Sequence, residues 1–192
     1  MEIEATCMVE AAGKIIHKSG ITSLSIESMG AEMKIDHSLL YPYFAKNEDI
    51  LMLLLLSLDN EINQVIKDTR CWGGPPEEEL KFLFESIHKL FEIKPYYLPV
   101  IFSSQLIERN TGLQNTLIRI KISVRAYLLE IIDQGKNETT FKNLMSSKSL
   151  VNQILKSFRS FMNEQRLVTK MVSDIENLKP IKNQDYQSNS NQ

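Results

Sequence analysis

Apolar residues return every third or fourth position through most of this chain, a spacing that only an α-helix gathers onto one side. Met8, Ala11, Ala12, Ile15 and Ile16 stand at i, i+3, i+4, i+7 and i+8, and Gly20 follows as a left-handed C-cap. Leu80, Leu83, Phe84, Ile87 and Phe91 repeat the pattern. So do Leu113, Leu117, Ile120, Val124, Leu128 and Ile131. Leu150, Val151, Ile154, Leu155, Phe158, Phe161 and Met162 form a broader apolar face, and Val168, Met171, Val172 and Ile175 a last one, stopped near Pro180. No strand or repeat is read. The expected fold class is all-α.

Glycine and proline divide these helices. Cys71-Trp72-Gly73-Gly74-Pro75-Pro76 is the clearest break. The helix before it starts near Asn47, a suitable cap, with Glu48 and Asp49 in its first turn where the helix dipole favours acids. It is apolar nearly all round from Leu51 to Leu58, so it should be buried on more than one side, and it is expected to reach Asp68. Glu77–Glu79 open the helix after the break. Pro95 suits the first position of another, carrying Leu98, Ile101, Phe102 and Leu106. Thr111-Gly112 interrupts the pattern, Gly135 ends the following helix, and Lys136–Ser147 reads as a polar loop. The segment Lys182–Gln192, rich in Asn, Gln and Ser, has nothing to bury and is expected to be disordered.

The most informative stretch lies near the start. From Ser25 to Asp49 the chain reads as two short helices joined by a tight turn. Ser25 can cap the first by accepting an amide N–H of its opening turn. Ile26, Met29 and Gly30 then share a buried face, and Gly30 is small where a second helix must pass close by. The pattern breaks over Glu32–Ile35 and restarts at Asp36, a second good cap, with Leu39, Leu40 and Phe44 as the apolar side. This is the layout of a helix-turn-helix, whose second helix lies in the major groove of DNA.

These residues carry a resemblance. Met8–Leu51, with Gly20-Ile21, Ser25, Leu40-Tyr41-Pro42-Tyr43-Phe44 and Glu48-Asp49-Ile50-Leu51, resembles the DNA-binding domain of the tetracycline-repressor (TetR) family of bacterial transcription regulators. The resemblance implies a DNA-binding head over residues 1–47 and a helical ligand-binding and dimerisation domain over 48–180, with 181–192 as tail. It implies a homodimer through residues of about 149–178, in which Phe158, Phe161 and Met162 would anchor a four-helix bundle. It places His37 and Ser38 in the groove, Tyr41 and Tyr43 at sugar-phosphate, and the Ser25 hydroxyl at a phosphate. Hydroxyl donors suit such positioning contacts; packing in a three-helix unit is the other role open to Tyr41 and Phe44. Lys34 occupies a turn position where the family usually has glycine and where φ is positive, at a cost of about 1 kcal/mol. From there it can supply a phosphate contact of its own. Lys46-Asn47 inverts the family's usual order of capping residue and phosphate-binding lysine, so either Lys46 reaches the backbone from one position earlier or that contact is lost.

Composition narrows the classes. The 192 residues are 43% hydrophobic and 24% charged, ordinary for a globular protein. The longest apolar run, Ile50–Leu56, is far short of the roughly 18 residues of a membrane span. Cys7 and Cys71 lack metal or redox spacing, and the acidic opening lacks a signal sequence, so a cytoplasmic location is expected. Asp36-His37-Ser38 holds the side chains of a hydrolase triad, but neighbours on a helix diverge by roughly 100° and cannot converge. His17, His37 and His88 have no ligand spacing. Neither catalysis, a metal nor a cofactor is expected.

Net charge is −2, and residues 1–50 hold Glu2, Glu4, Glu10, Glu27, Glu32, Asp36, Glu48 and Asp49 against Lys14, Lys18, Lys34 and Lys46. Phosphate neutralisation supplies most non-specific DNA affinity, so an acidic head also fits a helical ligand- or partner-binding dimer that has lost its operator. Trp72, Phe82, Phe84, Phe91, Tyr96, Tyr97, Phe102 and Tyr127 are either ordinary core or the lining of a pocket for an apolar small-molecule inducer. The basic excess over residues 109–170 is read as solvated faces or as an attraction for an anionic ligand. The expected function is a ligand-responsive regulator, a repressor by preference, on a double-stranded, near-palindromic operator.

Overall fold

A computed structural model of the chain describes residues 3–103, 110–141 and 145–163, with side chains of the last helix as far as Lys156. Every regular element in that range is helical. Helix α1 spans Ala5–Ser19, α2 Ile26–Met33, α3 Asn47–Trp72, α4 Pro76–Ile93, α5 Tyr97–Phe102, α6 Thr111–Asn137 and α7 Ser147–Asn163. Short 3-10 helices fill Ile21–Ser23 and His37–Leu40.

Local chemistry accounts for most boundaries. Ser25 caps α2: its Oγ accepts from the Ser28 N–H at 3.1 Å, and Ser28 Oγ accepts from the Ser25 N–H at 2.9 Å. Asp49, in the third position of α3, accepts from the N–H groups of Ala45 and Lys46 at 2.8 and 3.0 Å. The cap of α3 is therefore Lys46, and the expected capping residue Asn47 serves elsewhere: its Oδ1 accepts the otherwise orphaned Ile26 N–H at 3.0 Å. One amide thus ties the start of α2 to the start of α3. Gly20 has the expected positive φ of 81°, but with ψ of 166° it is extended rather than left-handed helical.

Several elements differ from their sequence readings. α3 runs on to Trp72 and stops at Gly73, in the left-handed region at φ 64°. α5 begins at Tyr97, since Pro95 and Tyr96 form the turn before it. Thr111 and Gly112 open α6 instead of breaking it, because Asn110 Oδ1 accepts from the N–H groups of Gly112 and Leu113 at 3.0 and 3.2 Å. α6 also passes through Gly135, where a Cβ would stand 2.3 Å from the Phe141 ring. The supposedly polar loop sends Phe141 onto that spot, and Phe141 is buried. The helix expected over Val168–Ile175, the tail and the side chains of Phe158, Phe161 and Met162 lie outside the described residues, and with them most of the expected dimer contact.

The core is continuous. α3 is its axis, with Ile50, Leu54, Leu55 and Leu58 essentially free of solvent and contacts to α1, α4, α5 and α6. It belongs to the head through α1 and to the body through the rest. A second link is Tyr96, whose ring lies where a Cβ on Gly13 of α1 would come within 2.5 Å. Among the described residues no helix is long and apolar enough to cross a membrane.

Candidate nucleic-acid interface and ligand cavity

The turn between α2 and the 3-10 helix is built on Lys34. Its φ, ψ of 57°, 39° are left-handed, and the Ile35 N–H donates to the Gly30 carbonyl at 3.0 Å while the Lys34 N–H donates to Ala31 at 3.3 Å. These are the paired bonds of a Schellman motif, with lysine where glycine is easiest. The chain then returns across Gly30, where a Cβ would lie 2.9 Å from both Cα and Cβ of His37. The smallness read at Gly30 has this function.

The expected α-helix from Asp36 is replaced by the 3-10 turn His37–Leu40 and a bend through Tyr43. Pro42 supplies the reason. It has no N–H to give the Ser38 carbonyl, and its ring would clash there. That carbonyl instead takes the Tyr41 N–H at 3.4 Å. Asp36 caps the turn, accepting from the Ser38 N–H at 2.8 Å, and this bond holds its carboxyl below the usual aspartate range, with His37 nearby adding to the effect.

The seven site residues read from the sequence all lie in this part of the chain. His37, Ser38, Tyr41, Tyr43, Lys34 and Lys46 are exposed, and Ser25 is half-buried. Tyr41, 51% exposed, is no core aromatic, whereas Phe44 is buried. The Tyr41 ring meets that of His37 edge-on, centroids 5.9 Å apart. Tyr43 has a partner: its hydroxyl accepts the Ile3 N–H at 2.9 Å, tying the acidic arm to this face. Leu39 departs from its reading. Assigned to the apolar side, it is 48% exposed.

The acidity of the head is partly compensated within it. Glu32 pairs with Lys18 at 3.0 Å, Asp36 and Asp49 cap helices, and Glu27 sits in the first turn of α2, its pKa lowered by backbone amides and by Ser25. Lys34 and Lys46 stand on either side of the projecting turn in sequence, exposed and outside any ion pair among the described residues.

A second feature lies in the body. Leu58 and Ile62 of α3, Ile87 and Phe91 of α4, Ile101 and Phe102 of α5, and Leu117, Ile120 and Val124 of α6 line a cavity of about 560 Å³. Ile118, Lys121, Ile122 and Arg125 of α6 and Asn152, Leu155 and Lys156 of α7 complete it. The volume falls within the range of small-molecule sites, and the mix of apolar walls with a few polar groups is typical of them. Of the eight aromatics read as pocket or core, Phe91 and Phe102 line this cavity. Phe84, Tyr97 and Tyr127 are core, Tyr96 is half-buried on Gly13, and Trp72 is 49% exposed, stacked on Phe82 with centroids 5.7 Å apart. Composition located the basic excess, but only the fold shows that three of those cations meet at one mouth.

No protein-family model matches the sequence, and no curated protein matches it. Solved structures do. The ketosteroid transcriptional regulator KstR2 of Mycobacterium tuberculosis superposes with a TM-score of 0.76 at 14% identity, over 94% of this chain and 97% of that one. The TetR-family transcriptional regulator PfmR of Thermus thermophilus gives 0.76 at 14% identity, over 93% and 97%. The regulator FadR of Bacillus subtilis, solved in complex with stearoyl-CoA, gives 0.71 at 16% identity, over 92% and 98%. With a capped helix, a left-handed turn and an exposed second element at one end, and a helical body around a cavity behind it, the chain has the fold of the TetR-family transcriptional regulators.

Proposed function

We propose that this protein is a ligand-responsive transcriptional regulator, a repressor, that binds a near-palindromic duplex as a homodimer. The observation that carries the reading is the turn His37–Leu40, seated on Gly30 after the left-handed Lys34 with His37, Ser38 and Tyr41 exposed to solvent. Ser38 and His37 are the base-facing candidates. Ser25, Lys34, Tyr41, Tyr43 and Lys46 are the backbone contacts, with Tyr43 also securing the arm. Two-fold symmetry then requires half-sites about 34–36 Å apart or a multiple of that.

The effector is an amphiphile with an apolar chain and an anionic group. Apolar walls from α3 to α6 suit the chain, and Lys121, Arg125 and Lys156 at the mouth suit the anion. The stearoyl-CoA complex of the B. subtilis regulator is a precedent for that chemistry in this fold. Since α3 lines the cavity with Leu58 and Ile62 and starts at the head, a ligand that favours one tilt of α3 shifts the spacing of the two heads. It acts only by the difference in its affinity for the two states.

Retardation of duplex DNA in a low-salt gel, chased by a specific duplex and released by a long-chain acyl thioester or fatty acid, is the expected result. Absence of any retardation at low salt, where electrostatic binding is strongest, would overturn the regulator reading. Eight acids against four lysines in residues 1–50 favour one rival, a dimer of this fold that binds ligand alone. That rival predicts a ligand-induced rise in Tm with no retardation.

A further inference from the structure

Leu39 is the one side chain of the projecting turn whose position the sequence pattern misplaces, and helix type explains why. At three residues per turn, side chains i and i+3 eclipse. His37 and Leu40 therefore share one line, Ser38 and Tyr41 a second, and Leu39 leads a third that continues towards Pro42. The first line touches the head, with Leu40 fully buried and the Cα and Cβ of His37 against Gly30, although the His37 ring beyond them stays exposed. The other two face away from the head. One carries hydroxyls. The other is apolar: Leu39 is 48% exposed, and Pro42, three residues on, is exposed too.

Neither residue of that line is buried in the fold. In a major groove it has a specific counterpart. The thymine C5-methyl is the apolar group on the groove edge of the base pairs, and aliphatic side chains read it by contact. We propose that Leu39 is a specificity-determining residue that selects thymine at one position of each half-site through that methyl group, while Ser38 and Tyr41 on the neighbouring line make polar contacts. The inference rests on the DNA-binding reading above.

The test uses the full chain and duplexes it selects itself from a randomised pool. Each thymine of the selected sequence is replaced in turn by deoxyuridine, which removes the methyl and leaves the hydrogen-bonding edge unchanged. At one position per half-site the replacement is expected to weaken binding about fourfold, the worth of one buried methyl group. Leu39→Ala is expected to bind thymine and deoxyuridine alike at that position, with an unchanged Tm because the side chain is exposed. Tyr41→Phe should bind more weakly yet keep the discrimination. Equal affinity for thymine and deoxyuridine at every position, or the same discrimination in Leu39→Ala, overturns the role of Leu39 alone. Recovery of no duplex overturns the DNA-binding reading together with it.

Discussion

Lys34 holds its place in the turn at the cost of backbone strain. A lysine at φ 57° is worse off than glycine by about 1–2 kcal/mol, and nothing in its own packing offsets this, for the side chain is exposed. Lys34→Gly is therefore expected to raise stability by about 1 kcal/mol in chemical denaturation. If the lysine meets a phosphate, the same variant binds DNA more weakly, and the slope of log affinity against log salt falls by about one. Higher stability with an unchanged slope would make the lysine incidental. Asp36 gives a matching prediction in pH. Its folded pKa lies below the ordinary 3.8 because the Ser38 amide favours the carboxylate. Its contribution is thus present above that value and lost as pH falls through the lowered one. Asp36→Asn should flatten the acid limb of the head's unfolding, followed by the amide signals of Ser38 and Leu39.

Between elements, single polar atoms hold the head together. Asn47 spans from α3 to the first amide of α2, and Asn47→Ala leaves the Ile26 N–H without its acceptor. A loss of about 1 kcal/mol is expected, within the range of a helix cap, with amide exchange rising first at Ile26. The inversion of Lys46 and Asn47 thereby gains a meaning: the lysine caps α3 through its backbone, and the amide is freed to staple two helices. In the body, Tyr127 of α6 donates to Glu79 of α4, both buried, while Arg70 of α3 lies 4.8 Å over the Tyr127 ring and pairs with Glu130 at 2.5 Å. Burial, and then the bond to Glu79, pushes the Tyr127 phenol well above its ordinary value. Tyr127→Phe strands the Glu79 carboxylate and should cost about 1.5–3 kcal/mol. The exposed Arg70–Glu130 pair contributes much less.

Head and body join along α3 and at the seat of Tyr96 on Gly13. α5, the helix that follows Tyr96, lines the cavity with Ile101 and Phe102, and Tyr97 at its start shares a 2.8 Å hydrogen bond with Ser57 of α3. A change in cavity occupancy thus has two packed routes to α1. A methyl at Gly13 collides with the Tyr96 ring, and overpacking of this kind costs about 1–3 kcal/mol. Gly13→Ala is expected to lower Tm and to raise amide exchange in α1 more than in α4 or α6. Uniform exchange across both parts would show that α3 alone makes the connection. Asp59 is buried on α3, where it accepts from Asn63 of the same helix at 3.2 Å and pairs with Arg119 of α6 at 2.7 Å, a link between the two longest helices among the described residues.

Helical periodicity, capping residues and punctuation determined the all-α class and the place of the helix-turn-helix. They follow from backbone geometry and near-neighbour chemistry, which a sequence states directly. Ser25 and Asp36 as caps and Gly30 as a close approach were legible for that reason, whereas the positive φ of Lys34 was implied by the family resemblance. What depended on distant partners was not legible. Phe141 reads as loop until the bare surface of Gly135 receives it. The service of Asn47 to α2, the outward turn of Leu39 and the meeting of Lys121, Arg125 and Lys156 at one mouth were decided by tertiary structure. Each depends on which surfaces the folded chain brings within a few ångströms, and no local propensity carries that information.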